Sequence, residues 1–434
     1  MRRRAHQDLP ALRAAARRLT VEALEFRHEV ARYLATRVTH RWARPLWFAG
    51  LAPLHRVHRP PPLPARSGWL PLRVRLSGIC GTDVNLVTGR DSLYLEPEAS
   101  YPFVPGHELV AEVEADGLRA DVADSPLQPG TRCAVWPVLG CRARGVAEPC
   151  RPCREGWEGL CERRGDDWPG RGIGIGFNCE TGGGWSHACL AHRSQLWPLP
   201  PRVADEDALL LDPAATALAA LLRSEAAEME RTLVIGGGTI GLLIAYLHRV
   251  LGRPGSCELL VRHESQRAWA EHHGVAATVV RGASEFRDWA SARGMRAVRV
   301  IGYGYVFRGV YDRVIDAAGT RSSVTQALQA VRPRGLLVIV AAPPTLAGVD
   351  PTPLWYREIT LRGVYVYGPV PWEGEWVHPY TVLLPRQEAG TLVLRDLITH
   401  TFPLDAYSAA FAALVHRRGS GAIKVAFRPG TAEA

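Results

Sequence analysis

Lysine is all but missing from this chain. Lys424 is the only one in 434 residues, and every other fixed positive side chain is arginine. No apolar run reaches the roughly 18–20 residues that a membrane span requires, and the arginine-rich start lacks the apolar core of a secretory signal. Both absences point to a cytoplasmic chain with no membrane partner. Cysteine is sparse and odd in number, nine in all, with several at metal-ligand spacings, which argues against a disulfide framework and for a reducing compartment. No internal repeat is present, and the arginine-rich start is the only biased segment.

What is there is ordinary in bulk and uneven in distribution. Hydrophobic residues make up 47% and charged ones 22%, as in a soluble globular protein long enough for two or three domains. The net charge is +9, and residues 1–45 hold eleven arginines against four acids, leaving the remainder close to neutral. Such a face can attract nucleic acid or anionic lipid. Here it reads as the solvated side of a helix, because Leu12, Ala15, Ala16, Leu19, Ala23, Leu24 and Val30 recur at helical spacing over 11–40. Nucleic acid is not an expected partner.

RPPPLP (59–64) breaks any helix and reads as an extended linker or edge. From 68 to 200 short β-like runs such as LRVRL (72–76) and ELVAEVEA (108–115) are punctuated by Gly and Pro, predicting a small barrel or sandwich. From about 205 the rhythm changes. TLVIGGG (232–238), CELLV (257–261), ATVV (277–280), AVRVIG (297–302), YDRVIDAAG (311–319) and GLLVIVAA (335–342) read as strands, mostly with helical segments between them. That alternation predicts a doubly wound parallel sheet.

Within it, GGGTIG (236–241) follows a strand and opens an apolar helix. Gly236, Gly238 and Gly241 would allow a tight turn and a close approach to a pyrophosphate, with Thr239 and Ile240 presenting N–H groups at the helix start. An acid is usual about 20 residues on, to bind ribose hydroxyls. This chain offers Arg262 and His263 there. Arginine can accommodate a 2′-phosphate, so NADP(H) is favoured, while Glu264 keeps NAD(H) open.

Two cysteine arrangements suggest metal. Cys141, Cys150, Cys153 and Cys161 fall within 21 residues, enough thiolates to close a tetrahedron around a structural zinc. Cys80 in GICGTD (78–83) and His107 in PGHE (105–108) lie 27 residues apart on turns, with Glu108 alongside. Scattered ligands are the mark of a catalytic zinc with one position open. Asp83 is a plausible acceptor for the other ring nitrogen of His107. Cys133, Cys179, Cys189 and Cys257 read as packed core thiols.

GICGTD, PGHE, the C-x2-C-x7-C lobe, GGGTIG, VIDAAGT (314–320) and ITHTFPL (398–404) together resemble the zinc-dependent medium-chain alcohol dehydrogenase family over roughly 45–428. The resemblance implies an α/β protein in which a partly open, chaperonin-10-like β-barrel catalytic domain is interrupted by a Rossmann cofactor domain. The expected parts are a basic helical extension (1–44), the catalytic domain (45–212, with the zinc lobe at 141–161), the dinucleotide domain (213–366) and a return to the catalytic domain (367–434). Catalytic zinc would rest on Cys80 and His107 with Asp212 as a further ligand; Glu108 is a ligand in some relatives and lies behind the ligands in others. Thr82 would take the substrate's hydroxyl proton. Thr216 matches a position beside the nicotinamide, and reads equally well as a helix-interior threonine.

Three departures stand out. Asp212 replaces the usual Glu or Cys, and could ligate directly or through water. Eight residues intervene between Cys141 and Cys150 where the common pattern has two. Asn85 occupies the place of a proton-relay histidine, and an amide cannot accept and pass on a proton as imidazole can. The implied activity is hydride transfer between an alcohol or polyol and a nicotinamide, in a homo-oligomer (dimer or tetramer) acting on a small alcohol or carbonyl. The expected cofactors are Zn2+ at both sites and NADP(H). Trp355, Tyr356, Tyr365, Tyr367 and Trp372 could line a pocket, or belong to core or subunit interface. Rival readings are a reductase of a biosynthetic carbonyl and a zinc-stabilised nucleic-acid or dinucleotide-binding protein; the open site at Cys80 has no purpose in the latter.

Overall fold

The computed structural model describes residues 20–39, 50–115, 126–165, 168–224, 231–342 and 346–430. The chain divides into two units, one of residues up to Asp212 with His400–Val415 and Val425–Ala434, the other of Pro213–Thr399 with His416–Lys424. Residues 367–399, expected with the catalytic domain, thus belong to the second unit, where Tyr367 and Tyr380 are buried with their hydroxyls 3.0 Å apart.

In the first unit, β1 (Val21–Phe26) corrects the helical expectation over 11–40; α1 (Val30–Thr39) is helical, and 1–19 lie outside the described residues. β1 pairs antiparallel with β2 (Leu54–Arg59) along its whole length, Val21 opposite Arg59 and Phe26 opposite Leu54. Its far edge is also engaged, Leu24 N–H donating to Trp185 O at 2.9 Å and Phe26 N–H to Phe103 O at 2.8 Å. Sheet pairing of that extent overrides the weak helical preference of VEALEF.

The main sheet has seven strands. β3 (Trp69–Ile79) lies between β4 (Leu109–Val113) and the strand Lys424–Phe427, and also pairs with β6 (Ala188–His192); β5 (Arg132–Val135) joins β4, and β7 (Leu196–Pro198) joins β5. Alternate residues of β3 and β4, among them Leu70, Leu72, Val74, Leu109, Ala111 and Val113, meet Cys133, Val135 and Cys189 in one core. Cys133 and Cys189 are core thiols as expected, whereas Cys179 and Cys257 are only half-buried. Lys424, 2% exposed, is sealed into the first position of its strand.

The second unit is built on six parallel strands. Their order is β10 (Ala276–Val279), β9 (Ser256–Val261), β8 (Arg231–Ile235), β13 (Tyr311–Asp316), β14 (Val331–Ile339) and β15 (Thr360–Gly363). The order reverses between β8 and β13, which makes the carboxyl ends of those two strands a topological switch point. AVRVIG is not part of this sheet: β11 (Ala297–Val300) forms a separate antiparallel hairpin with β12 (Gly304–Phe307). No described helix is long and apolar enough to cross a membrane.

Candidate active site

β3 ends at Ile79, and α2 (Gly81–Val87) begins two residues on, so Cys80 sits at the N-cap with extended backbone (φ −82°, ψ 161°). Its N–H donates to Asp83 Oδ2 at 2.8 Å, which satisfies one of the orphan donors that every helix start leaves and anchors the backbone that carries the thiol. His107 arrives from the loop ahead of β4. Gly106 before it has φ of 94°, and a Cβ there would fall 2.5 Å from Trp185 Cδ1 and 2.8 Å from Ser77 Oγ. Only glycine can hold that turn. Glu108 follows, 2% exposed, its carbonyl accepting from Gly78 N–H at 2.8 Å and Ser77 Oγ at 3.1 Å.

The result is a cluster. One ligand atom each from Cys80, His107 and Glu108 lies within 4.8 Å of the others. Asp212, also buried, is not in that mutually close set, so among the described residues the structure brings Glu108 rather than Asp212 to Cys80 and His107. An aspartate is one methylene shorter than the usual glutamate.

Whether a metal fits is answered by the donors. His107 Nδ1 faces Asp83 Oδ1 at 3.5 Å, and Asp83 is fully buried. With Nδ1 turned to a carboxylate, the other ring nitrogen is the one left for a metal, the usual arrangement behind a ligand histidine. Burial opposes a charge on His107, but the Asp83 carboxylate and the Cys80 sulfur outweigh it and hold its pKa well above the ordinary value. A thiolate, an imidazole and a carboxylate suit zinc, and the three residues fit that ion.

Thr82 and Asn85 are one helical step apart on α2, both half-buried, while Asp83 points inward. Thr82 Oγ1 lies 3.7 Å from Cys80 Sγ. Sequence reasoning missed the backing of this site. A Cβ on Gly183 would fall 2.1 Å from Val104 O, one on Gly184 2.2 Å from Ser77 Oγ, and the Phe177 ring lies 5.4 Å from that of His107. The run TGGGW (181–185) was the available signal.

The lobe cysteines converge as well. Cys141 Sγ is 3.6 Å from Cys150 Sγ and 3.7 Å from Cys161 Sγ, and all four sulfurs lie within 4.8 Å of one another. A tetrahedron with metal–sulfur bonds of about 2.3 Å has edges of about 3.8 Å, so this spacing fits zinc. Backbone N–H groups of Cys141, Cys150, Glu162 and Arg163 each point at a sulfur from 3.4 Å. The contact between Cys153 and Cys161 holds the Cys161 thiol down at about 5 and pushes Cys153 up. Four thiolates coexist here only around a cation.

In the second unit the three glycines do three different things. Gly236, with φ of 124°, makes the turn after β8, and its N–H donates to Leu260 O at 2.9 Å. Gly238, the N-cap of α4 (Thr239–Val250, following α3 at Leu211–Leu222), has open space where a Cβ would stand. Gly241 lies against the loop, where a Cβ would be 1.8 Å from Gly236 O. Turn, open approach and close helix packing are the three glycine roles of a dinucleotide loop. Thr239 and Ile240 are half-buried at the start of α4.

Arg262 is exposed just beyond β9, and its N–H and that of His263 both donate to Gln266 Oε1 at 3.1 Å. Gln266, on α5 (Glu264–His272), also underlies Gly237 and was not anticipated. Thr216 is the only half-buried residue of α3; the other eleven are buried. Of the five aromatics, Tyr367 is core, Trp372 carries the Arg386 guanidinium 4.8 Å above its ring, and Trp355, Tyr356 and Tyr365 are exposed.

Comparison with known proteins follows the same division. The sequence profile for "Alcohol dehydrogenase GroES-like domain" matches residues 66–201, and that for "Zinc-binding dehydrogenase" matches 240–378. An L-idonate 5-dehydrogenase from Vitis vinifera is 24% identical over 358 residues, covering 82% of this chain and 87% of that protein. Among solved structures, one described as a short chain alcohol dehydrogenase (rspB) from E. coli CFT073, complexed with NADH, matches with a TM-score of 0.69 at 19% identity, covering 94% of this chain and 99% of that one. A protein from Sinorhizobium meliloti 1021 bound to NADP gives 0.67 at 22%, covering 95% and 100%. The two profiles together span more than half of the chain in the order its architecture requires, and the chain belongs to the zinc-dependent medium-chain alcohol dehydrogenase family.

Proposed function

We propose that this chain is an oxidoreductase that moves a hydride between a secondary alcohol or polyol and NADP(H). The observation that carries the reading is the Cys80–His107–Glu108 cluster braced by Asp83. Zinc held there would supply a Lewis acid that lowers the pKa of a substrate hydroxyl. The chain does the rest. Cys80, His107 and Glu108 would hold the ion, with Asp212 contributing through water. Thr82 Oγ1, beside Cys80 Sγ, receives the substrate proton. Asn85, on the same helical face, orients a water that carries it outward, since the amide cannot itself relay a proton. Thr216, the half-buried position of α3, faces the nicotinamide.

The glycine loop and the N-terminus of α4 would hold the pyrophosphate. For the 2′-phosphate the support is a concentration of positive charge. Glu264, just beyond the end of β9, is engaged by Arg267 at 2.8 Å and Arg281 at 3.2 Å. His263 has its pKa lowered by burial and then by the charges of Arg417, Arg262, Arg281 and Arg418. An anion is favoured there, and a ribose without one gains little. The polyol assignment draws on the single-cysteine ligand set and on the name of the idonate relative. β15, exposed at all four residues, is an edge strand among the described residues; a second copy pairing there would make the homo-oligomer, measurable as a sedimenting mass above one chain.

Cys80→Ser and His107→Ala should abolish turnover on a panel of alcohols and polyols while the folded protein still binds dinucleotide. Retention of substantial alcohol oxidation by either variant would overturn the assignment.

A further inference from the structure

We infer that the C-terminus of α5 carries a further transition-metal site, formed by His272, His273 and Asp396. One ligand atom from each lies within 4.8 Å of the others. The three sit entirely within the second unit, apart from the cysteine clusters.

His273 Nδ1 is 2.8 Å from Trp269 O, so Nδ1–H donates to that carbonyl and the proton is fixed on this nitrogen. Nε2 is thereby left as the acceptor nitrogen, 3.0 Å from Asp396 Oδ2. Two acceptors at that separation repel unless a proton joins them or a metal ion to one side takes both as ligands. Metal–nitrogen and metal–oxygen bonds of about 2.0–2.2 Å place tetrahedral ligand atoms about 3.3–3.6 Å apart, so a shared ion needs this pair to open by only a few tenths of an ångström. A proton would also relieve the repulsion, but it would give His272 no role. The second imidazole, its ring 5.0 Å from that of His273, supplies a third donor.

The position suits a cation. The last carbonyls of α5 give that end partial negative charge, and the half-buried His273 ring is clamped by Trp269, stacked 3.9 Å away. Two imidazoles and one carboxylate select Zn2+, Ni2+ or Cu2+ over Mg2+ and Ca2+. A bound ion would tie α5 to the turn Arg395–Leu397 and stabilise the second unit by mass action.

Equilibrium dialysis of the full chain against Zn2+, followed by elemental analysis, should show one more ion per chain for the wild type than for His272→Ala or Asp396→Asn. Affinity for that last ion should fall by more than about tenfold in each variant. Cu2+ gives a second readout: with thirteen tryptophans in the chain, it should quench a larger share of the total emission in the wild type than in either variant, the difference being that of Trp269. Equal stoichiometry in all three proteins would overturn the site. So would a melting temperature that responds to pH but not to free Zn2+, which would leave only an ion pair between His273 and Asp396.

Discussion

His107 Nδ1 and Asp83 Oδ1 face each other at 3.5 Å, both closed off from solvent. The same carboxylate accepts the Cys80 N–H through Oδ2. One aspartate therefore orients two candidate ligands on different loops, and its removal should be felt at both.

Asp83→Asn keeps an acceptor for Cys80 N–H but turns a donor toward the imidazole, favouring the wrong tautomer. Zinc affinity at this site should fall by about 10–100-fold, read as faster loss to a chelator, with the lobe ion retained. Unchanged release would mean that Asp83 does not brace the ligand.

Arg262→Asp should reverse the cofactor preference. An exposed arginine beyond β9 becomes an acid able to bond ribose hydroxyls, so the ratio of kcat/KM with NADP to that with NAD should drop by at least about tenfold, or 1.4 kcal/mol. An unmodified enzyme that already strongly prefers NAD would sink the NADP(H) reading.

Cys153→Ser should remove the lobe ion alone. Zinc content falls by one per chain, and the melting temperature drops by about 2–4 °C for each kcal/mol lost. Protein that remains folded should keep its dinucleotide affinity. Loss of both ions together would show that the lobe and the Cys80 site are coupled.

His378 predicts an acid-side loss of stability. Burial lowers its pKa from the ordinary 6.5 to about 3, so between those values the unfolded chain binds the proton and the folded one does not. Stability is full above pH 6.5 and declines as pH falls toward 3. His378 Nδ1 also accepts the Tyr380 N–H at 3.2 Å at the start of the helix Pro379–Glu388. His378→Asn preserves a cap acceptor and removes the titration, so its melting temperature should depend less on pH over that range. An identical slope in the two proteins would place the acid sensitivity elsewhere.

What the sequence discloses follows how local the cause is. Gly236, Gly238 and Gly241 are legible because each is demanded by backbone within a few residues or by the adjoining strand. The four lobe cysteines are legible because thiol spacing is itself the constraint. β1 is not: the apolar positions of VEALEF also suit a helix, and what decides is pairing with β2, more than thirty residues on, and with Trp185. Glu108 and Asp212 could not be ranked from sequence, since which carboxylate reaches Cys80 depends on a turn at Gly106 and the start of a separate helix. The arginines around His263 come from three stretches of chain, and only folding assembles them.

Lys424 has a practical consequence. As the chain's only lysine, and 2% exposed, it leaves the native surface with no side-chain amine. Acylating reagents, aldehydes and amine-coupled supports have no internal foothold on the folded protein. Any lysine introduced by design becomes a unique handle, and fresh reactivity at Lys424 itself would report that its strand has come away from the sheet.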